Sequence, residues 1–474
     1  MVKLKLILCG ILCILLIGCL KETEHTEKAN ILLICVDDLR PELNCYSAQY
    51  IISPNIDKLA RKGILFQNHY VNSPSCGPSR YTLLTGKYGP ASNNALFIRA
   101  KKIEQGTDSI SPSMPEWFRT HGYTTVSVGK VSHHPGGRGG QNWNDSTKNE
   151  MPGAWDKHIL PVGEWKHPRG IMHGLAHGEI RIKPGDMDVY QHVRGDDTIY
   201  PDGLITNEAL KQLRVLSSDK EKPFFLAVGI IKPHLPFGAP ESYYEMYEGV
   251  KLPEIKHPQK PEGKSTWHRS GEFNQYNLWG KDPNEDEDFA DELRQHYAAC
   301  VSYADAQVGK ILAELKRTGA DKNTIVVLWG DHGWHLGEHA IWGKHTLFEE
   351  SLHSPMIIHH PKMKNNGSKT NAIVETLDIF PTLCDAAGIE IPKFTQGVSL
   401  KGLLENTDTT GHIAYAYNNN ATTIRTATHR LVLHKSGFVE LYDHTTAEKE
   451  TKNKADNNPE LVEALMLKLK AKMQ

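Results

Sequence analysis

Net charge is nearly absent from this chain. In 474 residues, 54 lysines and arginines stand against 56 aspartates and glutamates, a formal −2. A surface that tracks phosphates needs a clear basic excess, so nucleic acid is not an expected partner. Internal repeats are lacking, and no low-complexity tract exceeds the three asparagines at 418–420. With 39% hydrophobic and 23% charged residues, disorder is not expected over most of the length. Cysteine is sparse. Eight occur, and setting aside Cys9, Cys13, Cys19 and Cys76 leaves Cys35, Cys45, Cys300 and Cys384. Cys35 in an apolar strand and Cys384 in an apolar helical run read as core thiols, not a disulfide framework; a pairing of Cys45 with another stays open. The apolar run Leu6–Ile17 is too short to span a membrane permanently.

That run follows Lys3 and Lys5 and reads as a secretory signal. Its ending, Leu16-Ile17-Gly18-Cys19, resembles a bacterial lipobox, with Cys19 as the lipidated first residue of the mature chain. The polar stretch from Lys21 to Lys28 then serves as a tether. Lys21-Glu22 resembles a surface-export signal of some Bacteroidota lipoproteins. The expectation is a secreted lipoprotein anchored by Cys19 at the outer membrane, cell surface or periplasmic face of a Gram-negative bacterium.

Residues 30 to about 400 alternate strand and helix patterns, an α/β domain. Ile31–Val36, Phe224–Gly229 and Ile325–Trp329 have the length and β-branched character of buried strands. Asp288–Lys316 reads as a long helix. Its apolar positions, from Leu293 and Tyr297 to Ile311 and Leu315, recur at core-facing spacing. The acidic run Asp282–Asp288 favours its N-terminus. His133–Asp188 and Leu252–Ser270 are long, irregular and rich in Gly, Pro and His, as pocket walls on such scaffolds often are. A smaller unit is expected from Gly411, with strands at Thr422–Ala427, Arg430–His434 and Val439–Tyr442 and a final helix Pro459–Met473. The boundaries drawn are 1–18 signal, 19–29 tether, 30–410 catalytic domain and 411–474 C-terminal subdomain.

Two of the strands end in acidic residues. Asp37-Asp38 follows Ile31–Val36, and Asp331-His332 follows Ile325–Trp329. In an open α/β sheet, ligands gather past the carboxyl ends of the strands. The run Cys76-Gly77-Pro78-Ser79-Arg80 adds a nucleophile and a cation, with a turn at Pro78–Arg80 entering a helix to Thr85 and Gly86 as its stop. The carboxylate oxygens suit a hard divalent cation such as Ca²⁺. Taken singly, either acidic pair is an ordinary strand-end turn.

These residues resemble the type I sulfatases, whose signature Cys-x-Pro-Ser-Arg is matched from Cys76 to Arg80 and in which a dedicated enzyme converts the cysteine to Cα-formylglycine. Val36-Asp37-Asp38-Leu39-Arg40-Pro41, Ser53–Asp57, Leu84-Thr85-Gly86, Gly129-Lys130-Val131, Lys232-Pro233-His234 and Gly330–His339 continue the match in order and narrow it to the iduronate-2-sulfatase branch. The resemblance runs from about Asn30 to about Asp443. It implies an α/β, alkaline-phosphatase-like mixed sheet flanked by helices, with a smaller C-terminal antiparallel sheet plus helix. It also implies Ca²⁺ held by Asp37, Asp38, Cys76, Asp331 and His332. A nitrogen ligand is unusual for calcium, which leaves Mg²⁺, Mn²⁺ and Zn²⁺ open.

A formylglycine hydrate carries two hydroxyls on one carbon: one attacks sulfur, and deprotonation of the other expels sulfate. By resemblance, Arg80 orients that hydrate, Lys130 and Lys344 stabilise developing charge, and His234 with Lys344 serves the leaving oxygen. His133 takes the release-step proton, with adjacent His134 as the alternative. His335, His339 and His345 are left as pocket wall. Trp334 and Trp342 fit either sugar stacking or core. Lys102, Arg138, Lys264 and Arg269 are possible anion contacts.

The expected partners are a sulfated oligosaccharide and a formylglycine-generating or anaerobic sulfatase-maturating enzyme. The substrate expectation is a 2-O-sulfated uronate or xylose from glycosaminoglycan or ulvan. The alternatives are a phosphoesterase or phosphonate hydrolase of the same superfamily, and an inactive lipoprotein that binds sulfated glycan.

Overall fold

The computed structural model of the protein describes residues 28–106, 109–134, 149–408 and 410–473. The expected leader, the tether up to residue 27, Cys19 and Arg138 lie outside the described residues. Among the described residues, no helix is long and apolar enough to cross a membrane.

An eight-stranded sheet organises the chain. Its strands are β1 (Asn30–Val36), β2 (Ile64–Tyr70), β3 (Thr124–Gly129), β4 (Lys157–Ile159), β5 (Phe224–Ile230), β6 (Thr324–Gly330), β7 (Met356–His359) and β8 (Lys369–Glu375). Their spatial order is β8-β2-β7-β6-β1-β5-β3-β4. Only β7 runs antiparallel to its neighbours, so the sheet is mixed. β1 lies at the centre, Ile31 facing Phe225 on one side and Ile325 on the other.

Both faces are covered, which is why the central strands read as unbroken apolar runs. Successive residues point to opposite faces. Leu32, Ile34, Val36, Leu226, Val228, Val326 and Leu328 enter one core; Ile31, Leu33, Cys35, Phe225, Ala227, Ile325, Val327 and Trp329 enter the other. On the second face pack α1 (Cys76–Thr85), through Leu83 and Leu84, and α4 (Ile379–Ala386). On the first pack α2 (Pro201–Ser218) and α3 (Glu287–Arg317). The expected stripe of α3 is buried from Leu293 to Leu315, and fully burying each large apolar side chain contributes roughly 1.5–3 kcal/mol. Asp286 from the acidic run caps α3, accepting from the Phe289 amide at 3.0 Å.

A second sheet, β9 (Ala414–Tyr417), β10 (Ala421–Arg425), β11 (His429–His434) and β12 (Val439–Asp443), is a four-stranded antiparallel meander, one strand more than the sequence pattern marked. Its Ile424, Leu431 and Leu441 pack on Leu465 and Leu469 of the last helix, α5 (Pro459–Lys472). Its other face buries Ala414, Ala416, Val432 and Tyr442 against Tyr70 and Phe348 of the larger unit. Cys35, Cys45, Cys76, Cys300 and Cys384 are all free thiols.

Candidate active site

The carboxyl ends of the parallel strands converge on one buried cluster. β1 delivers Asp37 and Asp38, and β6 delivers Asp331 and His332. β3 ends at Gly129, whose φ of +76° turns the chain into Lys130; a Cβ on Gly229, beside it, would lie 2.0 Å from the Lys130 carbonyl carbon. Lys130 can stand there only because both positions are glycine. α1 begins at Cys76 itself, so the expected turn at Pro78–Arg80 is already helical, and it ends on Gly86 at φ +65°, whose amide bonds back to Thr82. Cys76 therefore sits in the first turn, where free amides and the helix dipole favour an anion.

Asp38 has φ +55°, a region uncommon for a residue with a side chain. It is held there by two contacts: its amide donates to Asp331 Oδ1 at 2.9 Å, and its carbonyl accepts from Tyr297 of α3 at 2.9 Å. His332 donates from Nδ1 to the Gly333 carbonyl at 2.9 Å. A carbonyl can only accept, so the Nε2 lone pair of the neutral ring faces inward. It faces Asp38 Oδ1 and Cys76 Sγ, each at 3.2 Å. Burial, then Lys344, hold His332 well below the usual imidazole range, consistent with that neutral form.

A lone pair aimed at a carboxylate is an arrangement that a cation between them would satisfy. Ligand atoms of Asp37, Cys76, Asp331 and His332 lie within 4.8 Å of one another, and so do those of Asp37, Asp38, Cys76 and His234. Burial, then Asp37, push Asp331 well above the carboxylate range. The residues thus fit a divalent metal, and the largely oxygen donor set suits a hard one.

The cations are interleaved with these acids. Lys130 pairs with Asp37, and Lys344 Nζ reaches Asp38 at 2.9 Å and Cys76 Sγ at 3.3 Å. Burial lowers both lysines, but Asp37 with Cys76 around Lys130, and Asp38 with Cys76 and Glu272 around Lys344, together outweigh it, and both are held above their ordinary range. Arg80 is held among them by both acids and backbone. Its guanidinium donates to Asp331 at 3.0 Å, Asp37 at 3.1 Å and the carbonyls of Lys130 and Val131. Those bonds engage each of its three nitrogens, so Arg80 clamps three strand ends together. Burial, then Asp37, drive the Cys76 thiol far up; an unmodified Cys76 stays protonated and is a poor nucleophile.

His234 Nε2 lies 3.9 Å from Asp38 Oδ2. Its loop is pinned by Asp202 at the start of α2, which accepts from the amides of Ile231 at 2.7 Å and Lys232 at 2.9 Å. His133 is buried with its ring 4.3 Å from that of His134. Burial, then His134 and Lys130, hold it well below the imidazole range. His134 is engaged elsewhere: its amide donates to Glu150 at 2.7 Å, its Nε2 is 3.4 Å from Asn94 Oδ1, and its ring lies 5.5 Å from Phe97.

The remaining expectations divide. Trp334 and Trp342 are buried at 0% and 1% exposure, which removes sugar stacking. Trp334 lies beneath Lys344, whose Nζ is 5.3 Å from the ring centre, and Trp342 packs on Phe273. His335 bonds Thr346 and His339 faces Glu350, away from the cluster. Lys264 donates to Ser436, and Lys102 is on an exposed helical turn. Arg269 lines a separate cleft of about 360 Å³ with Asn274 and Lys281.

One residue in contact with the cluster carries no sequence signal. Glu272 stands 3.4 Å from both His234 Nε2 and Lys344 Nζ, and 3.5 Å from His345 Nε2. It follows an irregular segment without periodicity, so only the fold reveals it.

Comparison with known proteins agrees with this architecture. The chain is 31% identical over 425 residues to iduronate 2-sulfatase of Mus musculus, covering 81% of this chain and 73% of that one. It is 29% identical over 474 residues to a sulfatase of Formosa agariphila, covering 92% and 84%. Its fold matches the phosphonate monoester hydrolase of Agrobacterium radiobacter with TM-score 0.73 at 21% identity, covering 94% and 95%. It also matches a protein solved with its substrate D-glucosamine-2-N,6-O-disulfate, with TM-score 0.70 at 23% identity, covering 94% and 97%. These folds are alkaline-phosphatase-like. A C-terminal model, N-sulphoglucosamine sulphohydrolase, matches residues 337–474. The sulfatase family model matches residues 29–389, and the chain belongs to that family of sulfuric ester hydrolases.

Proposed function

We propose that the chain is a secreted, lipid-anchored sulfatase acting on a sulfated polysaccharide or its oligosaccharides, of the 2-O-sulfated uronate or xylose type found in glycosaminoglycan and ulvan. The observation that carries the reading is Cys76 in the first turn of α1, within 3.3 Å of both His332 and Lys344. The likeness to an iduronate 2-sulfatase supports the uronate.

Asp37, Asp38, Asp331, His332 and the converted position 76 would hold a divalent cation, Ca²⁺ by donor type, which would supply positive charge to the reaction. Converted by a maturating enzyme to formylglycine and hydrated, position 76 supplies two geminal hydroxyls, one to accept the sulfuryl group and one to expel it. The chain's own residues do the rest. Lys130 and Lys344 place charge against the transferring group without reorganisation. His234 stands where the leaving oxygen takes its proton, and His133 removes the proton in the release step. Arg80 fixes the acids that these groups depend on.

The test is free sulfate from enzyme co-expressed with a formylglycine-generating enzyme. Substrates are 2-O-sulfated uronate disaccharides from heparin and chondroitin, beside ulvan oligomers. Release from one set names the glycan, and Cys76→Ala should abolish it. Release from neither by fully converted enzyme, with turnover of a phosphonate monoester, would overturn the reading.

A further inference from the structure

The pocket carries a carboxylate that the reaction does not require. Glu272 caps the start of a short 3₁₀ turn, Phe273–Gln275, whose Phe273 is buried against Trp342 and whose following Tyr276 is buried too. Ser270 closes the turn from the other side, its hydroxyl accepting from the Trp342 amide at 2.9 Å. The carboxylate is thus placed by packed aromatics and not by a mobile tip.

Its surroundings define what it does. The side chains of His234 and Lys344 are 3% and 2% exposed, whereas Glu272 is 25% exposed. Among the described residues, Glu272 and His345 are the solvent-facing members of this cluster. Glu272 is therefore the more exposed carboxylate that adjoins both groups assigned to the leaving oxygen. The contacts from Glu272 to its three basic neighbours are 3.4–3.5 Å, longer than an ordinary N–H···O bond. A carboxylate has about four acceptor sites, so Glu272 keeps capacity for a ligand donor. Burial raises it, but Lys344 and His234 outweigh that, and it lies well below the carboxylate range. An ionised carboxylate only accepts.

Resting on the sulfated-glycan reading above, we infer that Glu272 is a specificity-determining residue that accepts a hydrogen bond from the free hydroxyl vicinal to the sulfate ester and repels a second anionic group there. In a 2-sulfated sugar that hydroxyl is O3. The substrate class is a sugar with a sulfate and a free hydroxyl on adjacent carbons; a vicinal disulfate is rejected. Both the uronate and the xylose have such a hydroxyl, and their 2,3-disulfates do not.

The experiment uses the converted holoenzyme and methyl 2-O-sulfo glycosides of xylose and of a uronate, each with hydroxyl, hydrogen or sulfate at C3. Wild type should turn over the hydroxyl compound with kcat/KM about 100-fold above the disulfate and about tenfold above the 3-deoxy compound. Glu272→Gln keeps the shape and removes the charge. It should raise the disulfate rate about tenfold or more, with the thermal midpoint unchanged. Equal wild-type rates with hydroxyl and sulfate at C3 would overturn the assignment whether or not the variant folds. So would a ratio unmoved by a folded Glu272→Gln.

Calorimetry on Cys76→Ala with the same glycosides separates the two readings. Selective binding of the C3-hydroxyl compound without turnover by the holoenzyme keeps Glu272 and overturns the reaction. Turnover without discrimination at C3 does the reverse, and no binding overturns both.

Discussion

His133 and His134 are indistinguishable by residue type and differ in what surrounds them. His134 is bonded through its amide to Glu150 and lies against Asn94 and Phe97. His133 lies in the field of Lys130, Asp37 and Arg80. Its depressed basicity suits a group that is neutral at working pH and so able to take a proton. His133→Ala should lower steady-state turnover of an aryl sulfate by about 10²–10⁴-fold. Phenol should still appear in a fast burst before the slow phase, because release is slowed more than attack. A burst seen with His134→Ala and not with His133→Ala would reverse the assignment. At this scale the sequence was most legible where chemistry demands a residue type. The acids after β1 and β6, Cys76 and Lys130 all lie where strand-end reasoning and the family motif put them. The place of Arg80 was legible but its clamp was not, because its acceptors come from three segments far apart in the chain. Glu272 was not legible at all: one acid among 56, it depends on the packing of Phe273 and Trp342.

Elements were legible where burial on both sides removes ambiguity. β1, β5 and β6 each begin or end within one residue or so of the apolar runs, and α3 matches its stripe, since periodicity and burial agree. β7 was illegible as the one antiparallel strand of the eight-stranded sheet, because direction is set by the connection and not by composition. β9 was missed because Ala414-Tyr415-Ala416-Tyr417 is short. Yet β9 makes the junction: Asn72 donates to the Tyr415 carbonyl at 2.8 Å, and Lys472 of α5 reaches Glu375 of β8 at 2.9 Å. His412, just before β9, sits between Asp378 at 2.7 Å and Glu375 at 3.2 Å. Burial opposes its charge, but the hydrogen bond and charge of Asp378, with Glu375, outweigh that and raise it to about 9. A raised folded value means that the stabilisation is complete below the unfolded value near 6.5 and is lost as pH climbs through 9. For a partly exposed group it is worth on the order of 2–3 kcal/mol. The thermal midpoint of wild type should fall between pH 6.5 and 9.5 by more than that of His412→Gln. Parallel curves would show that this junction does not depend on the charge.

At the scale of the molecule, the cluster joins segments that the chain keeps far apart. Asp37 and Asp38 leave β1, Cys76 opens α1, and Asp331 and His332 leave β6, so anything binding all five ties the sheet to the helix above it. Without a cation this junction is electrostatically uncomfortable. Asp331 is driven up by burial and by Asp37, and Asp38 is raised by burial although Lys344 opposes it. A metal relieves that repulsion only in the folded state, and a ligand that binds only the folded state stabilises it by about 2.7 kcal/mol at 100 times its Kd. Chelation should therefore lower the thermal midpoint as well as abolish sulfate release. Adding Ca²⁺ should restore both, and the midpoint should go on rising with the logarithm of Ca²⁺ above Kd. Asp331→Asn, which removes a ligand charge and part of the repulsion together, should flatten that rise. Recovery with Mg²⁺ or Mn²⁺ but not Ca²⁺ would keep the site and change its ion. A midpoint indifferent to chelator and to every divalent ion would mean that Lys130, Lys344 and Arg80 neutralise these carboxylates unaided, and that the cluster is an ion-pair network without a metal.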